Sequence, residues 1–187
     1  MKLLERLFGQ PEQEDEGPGI PFGRYTDSYK TTAQYDAWDR ALEAFEKGEH
    51  MESYLAFFEY LRDPQIANVQ FEQTNGQIHF EILQGSKRVI GNASPRSFKA
   101  EAKVAYADEL DIGYMRRLME QNYKLEYSRY ALDDDDDITI LFDTHSLDGS
   151  PYKLYYALKE MATNADKLDD LLLDEFSMLR PTEATHL

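Results

Sequence analysis

The chain has 187 residues, no cysteine and a formal net charge of −16. It suits one domain with an extension, and a core of that size needs no disulfide or metal staple. The absent cysteines exclude a disulfide framework, a thiolate nucleophile and a cysteine zinc site, and the charge opposes binding to phosphate backbones and anionic membranes, which need clustered Lys and Arg.

Leu3, Leu4, Leu7 and Phe8 can form one face of a short helix. It docks on the body, on a neighbouring chain or on a membrane surface, although Lys2 and Arg6 are its only basic residues. MKLLERLFG is charged and too short for a secretory signal. QPEQEDEGPGIPFG then reads as a linker. Residues 1–31 are thus an extension and linker, 32–180 the folded domain and 181–187 a loose tail. No apolar run approaches the roughly 20 residues of a membrane span, and the expected location is cytoplasmic.

From Thr32 to Arg62 the apolar spacing is helical: Tyr35, Trp38, Leu42 and Phe45, then Met51, Tyr54, Leu55, Phe58 and Leu61. Gly48 marks a bend or the break of a helical hairpin, and Asp63-Pro64 ends it. Asn75-Gly76 predicts a type I′ hairpin that sets Val69 opposite Ile82, Phe71 opposite Phe80 and Gln73 opposite Ile78. One face is then apolar and the other polar. After a turn at Gly85, Lys87–Ile90 is a short strand. A loop at Asn92–Arg96 precedes alternating Phe98, Ala100, Ala102, Val104 and Tyr106, a further strand or a continuation of the third.

Asp111–Asn122 is helical. Ile112, Met115 and Met119 line one side, and Tyr114 and Leu118 an adjoining one. A helix lying on a sheet needs one apolar side, which leaves the second for a partner chain. A helix wedged between sheet and N-terminal segment uses both. Tyr123–Leu132 and Ile138–Asp143 pair around Asp133–Asp137. Ser150 caps the last helix with Pro151 in its first turn. Leu154, Leu158, Met161, Ala165, Leu168, Leu172 and Phe176 form its stripe, and Pro181 stops the helical region. The expected fold is α+β: an antiparallel sheet of about five strands with helices packed on one face, in the order α-β-β-β-α-β-β-α.

Motifs for chemistry are thin. Counted from Asp133, an EF-hand loop needs Gly at its sixth position and Glu at its twelfth; Ile138 and Thr144 stand there, so an acidic turn is expected, with at most weak cation binding. Tyr155 and Lys159 have the Y-x-x-x-K spacing of a Tyr acid beside a Lys, without a Gly-rich dinucleotide turn. His50, His79, His145 and His186 have no ligand-spaced neighbours. Ser146 or Ser150 beside His145 lacks a nucleophile elbow. Gly85-Ser86-Lys87-Arg88 lacks the upstream glycines of a phosphate loop. No catalytic residue, cofactor or metal is expected. Tyr152, Tyr155 and Tyr156 crowd the start of the last helix, either as a binding surface or as cover for the sheet edge and N-terminal segment. With Ile112, Tyr114, Met115, Leu118 and Met119 they form the candidate partner or dimer surface.

The segment YSRYALDDDDDITILFDTHSLDGSPYKLYYALKEMATNADKLDDLLLDEF, with the element order above, resembles the bacterial YbjN / type III secretion chaperone-like family over roughly Tyr35–Phe176. The likeness implies an α+β sandwich, frequent dimerisation and the binding of other proteins, with no catalytic residues. AWDRALEAFEKGEHMESYLAFFEYL is also similar to a single tetratricopeptide-like hairpin, though such repeats need stacked copies. The expected function is a non-enzymatic protein-binding or chaperone-like module, partnered by another protein or by itself, with no nucleic acid and no membrane span. The alternatives are a regulatory protein switched by a ligand or partner, and an enzyme whose site assembles across the chain.

Overall fold

The computed structural model describes residues 30–63, 68–84 and 87–182. The short helix expected at Leu3–Phe8, the linker, Pro64, the Gly85 turn, His186 and most of the tail lie outside the described residues.

Helices α1 (Thr32–Glu46) and α2 (His50–Leu61) form a hairpin, so the break at Gly48 is a turn and not a bend. Thr31 caps α1 through a capping box with Gln34. Gln34 then donates to the carbonyls of Tyr60 (3.1 Å) and Arg62 (2.8 Å), tying the start of α1 to the end of α2. Within the hairpin, Ser53 Oγ donates to Ala41 O at 2.8 Å.

Next come β1 (Val69–Thr74), β2 (Gln77–Gln84), β3 (Lys87–Ala93) and β4 (Ser97–Ala107), all paired antiparallel in sequence. Asn75 and Gly76 have φ of 53° and 76°, as a type I′ turn demands. The register is the expected one: Val69 faces Ile82, Phe71 faces Phe80 and Gln73 faces Ile78. β3 and β4 are separate strands. The Ser94 hydroxyl accepts from the amides of Arg96 and Ser97, which closes a tight turn between them.

Helix α3 (Ile112–Asn122) precedes β5 (Arg129–Leu132) and β6 (Ile138–His145), which pair around the aspartates. A single 3-10 turn, Ser146–Asp148, leads to α4 (Pro151–Glu175). A short β7 (Leu179–Pro181) pairs with the end of β4. Among the described residues the sheet therefore has seven strands, not about five, in the order β1-β2-β3-β4-β6-β5 with β7 beside β4. Pro181 does not stop a helix: α4 ends at Glu175 and Pro181 closes β7, where a strand end tolerates its missing donor.

The dry face carries Ile78, Phe80, Ile82, Val89, Phe98, Ala100, Ala102, Ile140 and Phe142, all buried. Across it runs α4, beside α2, with Leu154, Leu158, Met161, Ala165 and Leu172 buried. The Leu168 side chain lies outside the described residues. Phe80 stacks on Phe98 (5.0 Å) and Phe58 (4.6 Å), joining β2, β4 and α2. No helix among the described residues is long and apolar enough to cross a membrane.

The strand expected from Tyr123 begins only at Arg129. Upstream, the Glu160 carboxylate of α4 accepts from the amides of Glu126 (2.7 Å), Tyr127 (3.0 Å) and Ser128 (2.8 Å), and from the Ser128 hydroxyl (2.7 Å). Those donors are used by a side chain, so no ladder forms there. At the sheet edge the Asn122 amide stands in for a strand. It accepts from Tyr130 N–H (2.6 Å) and donates to Tyr130 C=O (3.1 Å).

Two measurements test this packing. Phe80→Ala removes the ring at the centre of the cluster and should destabilise by roughly 3–5 kcal/mol in urea unfolding; less than about 1 kcal/mol would place Phe80 outside the core. The second is pH. Burial raises the Glu160 pKa, but the donors from Glu126, Tyr127 and Ser128 outweigh it and leave the carboxyl below its usual range. A carboxylate depressed in the folded state contributes its stability above the unfolded pKa of about 4.3, and loses it as pH falls through the folded value. Wild type should thus lose stability on acidification, and Glu160→Gln should be less stable at neutral pH with a flatter acid limb. An unchanged acid limb in the variant would deny the role.

Candidate functional site

The sequence-predicted surface residues separate into two places along α4. The first is aromatic. Trp38 projects from α1, Tyr60 from α2, and Tyr152, Tyr155 and Tyr156 from the first two turns of α4. The Trp38 centroid lies 4.8 Å from Tyr60, 5.0 Å from Tyr152 and 6.3 Å from Tyr155, the last two edge-on. Tyr155 meets Tyr156 edge-on at 5.4 Å. Edge-on pairing suits aromatic quadrupoles and holds the rings without filling a core. Tyr152 and Tyr156 remain 55% and 51% exposed. The tyrosines join the helical hairpin to α4, and Tyr155 packs against the core; the expected contact with the N-terminal segment lies outside the described residues. Trp38 and Tyr60 are the members that sequence reasoning missed, because nothing local links them to α4.

The second place is α3. Asp111 caps it by accepting from Gly113 N–H at 2.7 Å. Tyr114 and Leu118 point inward and are buried. They are core residues, which corrects their place in the candidate partner surface. Tyr114 packs edge-on against Phe176 at 6.1 Å, and its hydroxyl donates to Glu109 O. Met115 is half-buried. Ile112 and Met119 face outward, 72% and 70% exposed, and Tyr123 follows at 94%. With Arg116 they form a stripe at i, i+4, i+7 and i+11, the spacing of one helix face. The start of α3 lies at the far end of α4 from the aromatic surface, where Tyr114 meets Phe176, and its end approaches the middle of α4, where Glu160 holds residues 126–128.

The acidic turn is internally satisfied. Asp133 accepts from the amides of Asp135 and Asp137, both at 3.0 Å, and Asp136 adopts φ +64°. Lys103 Nζ lies 2.9 Å from both Asp133 and Asp137, and Asp137 also accepts from Ala107 N–H. The hydrogen bonds from Asp137 and Asp133 hold the Lys103 ammonium well above its ordinary pKa. Burial pushes the Asp133 carboxyl up, but Lys103 and the two amides bring it below its ordinary value. Two of the five carboxylates thus share one lysine, and Asp134, Asp135 and Asp136 face solvent. Among the described residues no group of three or more His, Cys, Asp or Glu side chains is arranged to hold a metal.

Other candidate chemistry is committed to structure. Ser146 Oγ donates to Ser94 O at 3.1 Å, and Ser150 Oγ accepts from Lys153 N–H as the α4 cap. His145 is exposed. Lys159 Nζ lies 5.9 Å from the centre of the Tyr155 ring, a cation over a π face. Lys87 is buried and donates to Val104 O and Thr182 Oγ1, so it does not present a phosphate-binding amine. The Tyr54 hydroxyl is buried, and burial raises its pKa against the opposing effect of nearby Ser146.

Lys103→Ala should lower stability by roughly 1–3 kcal/mol, because Asp133 and Asp137 lose their shared cation while Asp137 keeps only the Ala107 N–H. A chelator should leave the wild-type Tm unchanged. A fall in Tm that calcium restores would show that a cation, and not Lys103, holds the turn.

No known family model matches the chain, and no curated protein is significantly similar to it.

Proposed function

We propose that this chain is a non-enzymatic protein-binding or chaperone-like module, akin to the YbjN / type III secretion chaperone-like family, and that it works in the cytoplasm. The observation that carries this reading is the outer face of α3. Ile112, Met119 and Tyr123 are large, apolar or aromatic, and mostly exposed, while the opposite face of the same helix is fully used by Tyr114 and Leu118. Isolated exposed apolar residues are ordinary, but here Ile112, Met119 and the capping Tyr123 share one face, interrupted by Arg116, and such a face suits an interaction surface. Helical stripes of this spacing are read by grooves or by other helices. The α+β architecture, with helices on one sheet face, supports the likeness. The partner is another protein or a second copy of the chain.

Met119→Glu separates partner binding from folding. Because Met119 is exposed, the variant should stay folded, with stability within about 0.5 kcal/mol of wild type. It should lose the partner that the wild-type chain captures from native extract at low salt. If the partner is a second copy, light scattering should show a wild-type dimer and a variant monomer. Equal capture and equal mass for both proteins would remove α3 as the binding surface.

A further inference from the structure

We propose that the segment Ile20–Tyr25, read IPFGRY, seats on the aromatic surface of its own chain, with Ile20, Phe22 and Tyr25 laid over Trp38, Tyr152 and Tyr156. This is a different surface from the α3 stripe and does not rest on it.

The first support is where the chain enters the fold. Lys30 is buried, its Nζ donates to Tyr60 O at 3.3 Å and lies 4.9 Å from the centre of the Tyr60 ring. Thr31 and Gln34 lock the next turn onto the end of α2. Lys30, the first described residue, therefore stands at the rim of the aromatic surface. Reach is ample. Phe22 is eight residues from Lys30, about 26 Å when extended. Trp38 lies only about 10 Å along α1 from Thr31.

The second support is chemical match. The surface offers aromatic faces and edges with hydroxyl tips, which suits apolar groups on a polar backbone. Ile20, Phe22 and Tyr25 supply the apolar groups. Pro18 and Pro21 restrict the segment before it binds, which lowers the entropy lost on docking; proline-bearing segments on aromatic grooves are a recurring recognition mode. Arg24 supplies a cation to match Asp36 and Asp39, both exposed on α1.

The chain contains one tryptophan, Trp38, and no cysteine, so one pair of probes reports on this contact alone. Gly23→Cys in the full chain is labelled with a bimane dye, which tryptophan quenches on contact. We expect dim dye, brightened by Trp38→Phe, with quenching unchanged on dilution through the micromolar range. Phe22→Ser should also brighten the dye, and it alters no residue of the described fold, so it decides the matter if Trp38→Phe fails to fold. Dye equally bright with and without these substitutions overturns the proposal. Quenching that disappears on dilution also overturns it, because a second copy would then hold the segment. Neither result bears on partner capture by α3, which Met119→Glu reports.

Discussion

The fold depends on the place where Phe80 crosses Gly91. The two residues are opposite each other on β2 and β3. A Cβ at position 91 would lie 2.3 Å from Phe80 Cζ and 2.2 Å from Lys99 O, so only glycine fits beneath the ring. With that space open, the ring lies flat enough to stack on Phe98 of β4 and to meet Phe58 of α2. Phe98 in turn touches Tyr54 at 5.5 Å and Phe142 at 6.3 Å. One missing side chain on β3 thereby lets β2, β4, β6 and helix α2 share a single aromatic cluster. Pairs of this kind contribute about 0.5–1.5 kcal/mol each beyond their area.

Around that centre, polar side chains settle the irregular backbone. Asn68 is buried, accepts from Asp63 N–H (2.8 Å) and donates to Leu61 O (3.2 Å), closing the end of α2. Glu160 collects the amides before β5, Asp137 takes Ala107 N–H, and Gln34 takes the last carbonyls of α2. Each pairs groups that would otherwise be left without partners on folding, where an unmade hydrogen bond is expensive. Strand content and helix ends follow from these choices as much as from hydrophobic pattern.

This division explains what was legible in the sequence. Asn75-Gly76 determines its hairpin register because both residues tolerate positive φ and alternation does the rest. Ser150-Pro151 marks a helix start from local chemistry alone. The extent of β5 was illegible because Glu160, more than thirty positions away, removes its donors. The split of β3 from β4 hinged on one serine hydroxyl. The same limit applies to the surfaces. The tyrosine cluster on α4 could be read from spacing, whereas its contact with Trp38 and Tyr60 is long-range. Two apolar sides on α3 were also readable. Which one faces the core is decided by Phe176, across the fold, where no local signal exists.

The Asn122 clamp has a consequence for how molecules of this kind stack. A strand-by-strand polymer needs two open margins, one to give and one to receive. Asn122 fills the margin at β5 with a side chain that mimics the next strand, and α3 lies against it. Among the described residues the long margin left is β1, with Gln70 and Glu72 exposed along it. Covering the β5 margin removes one of the two surfaces that strand-by-strand growth needs, a protection against fibre growth that comes from one amide group.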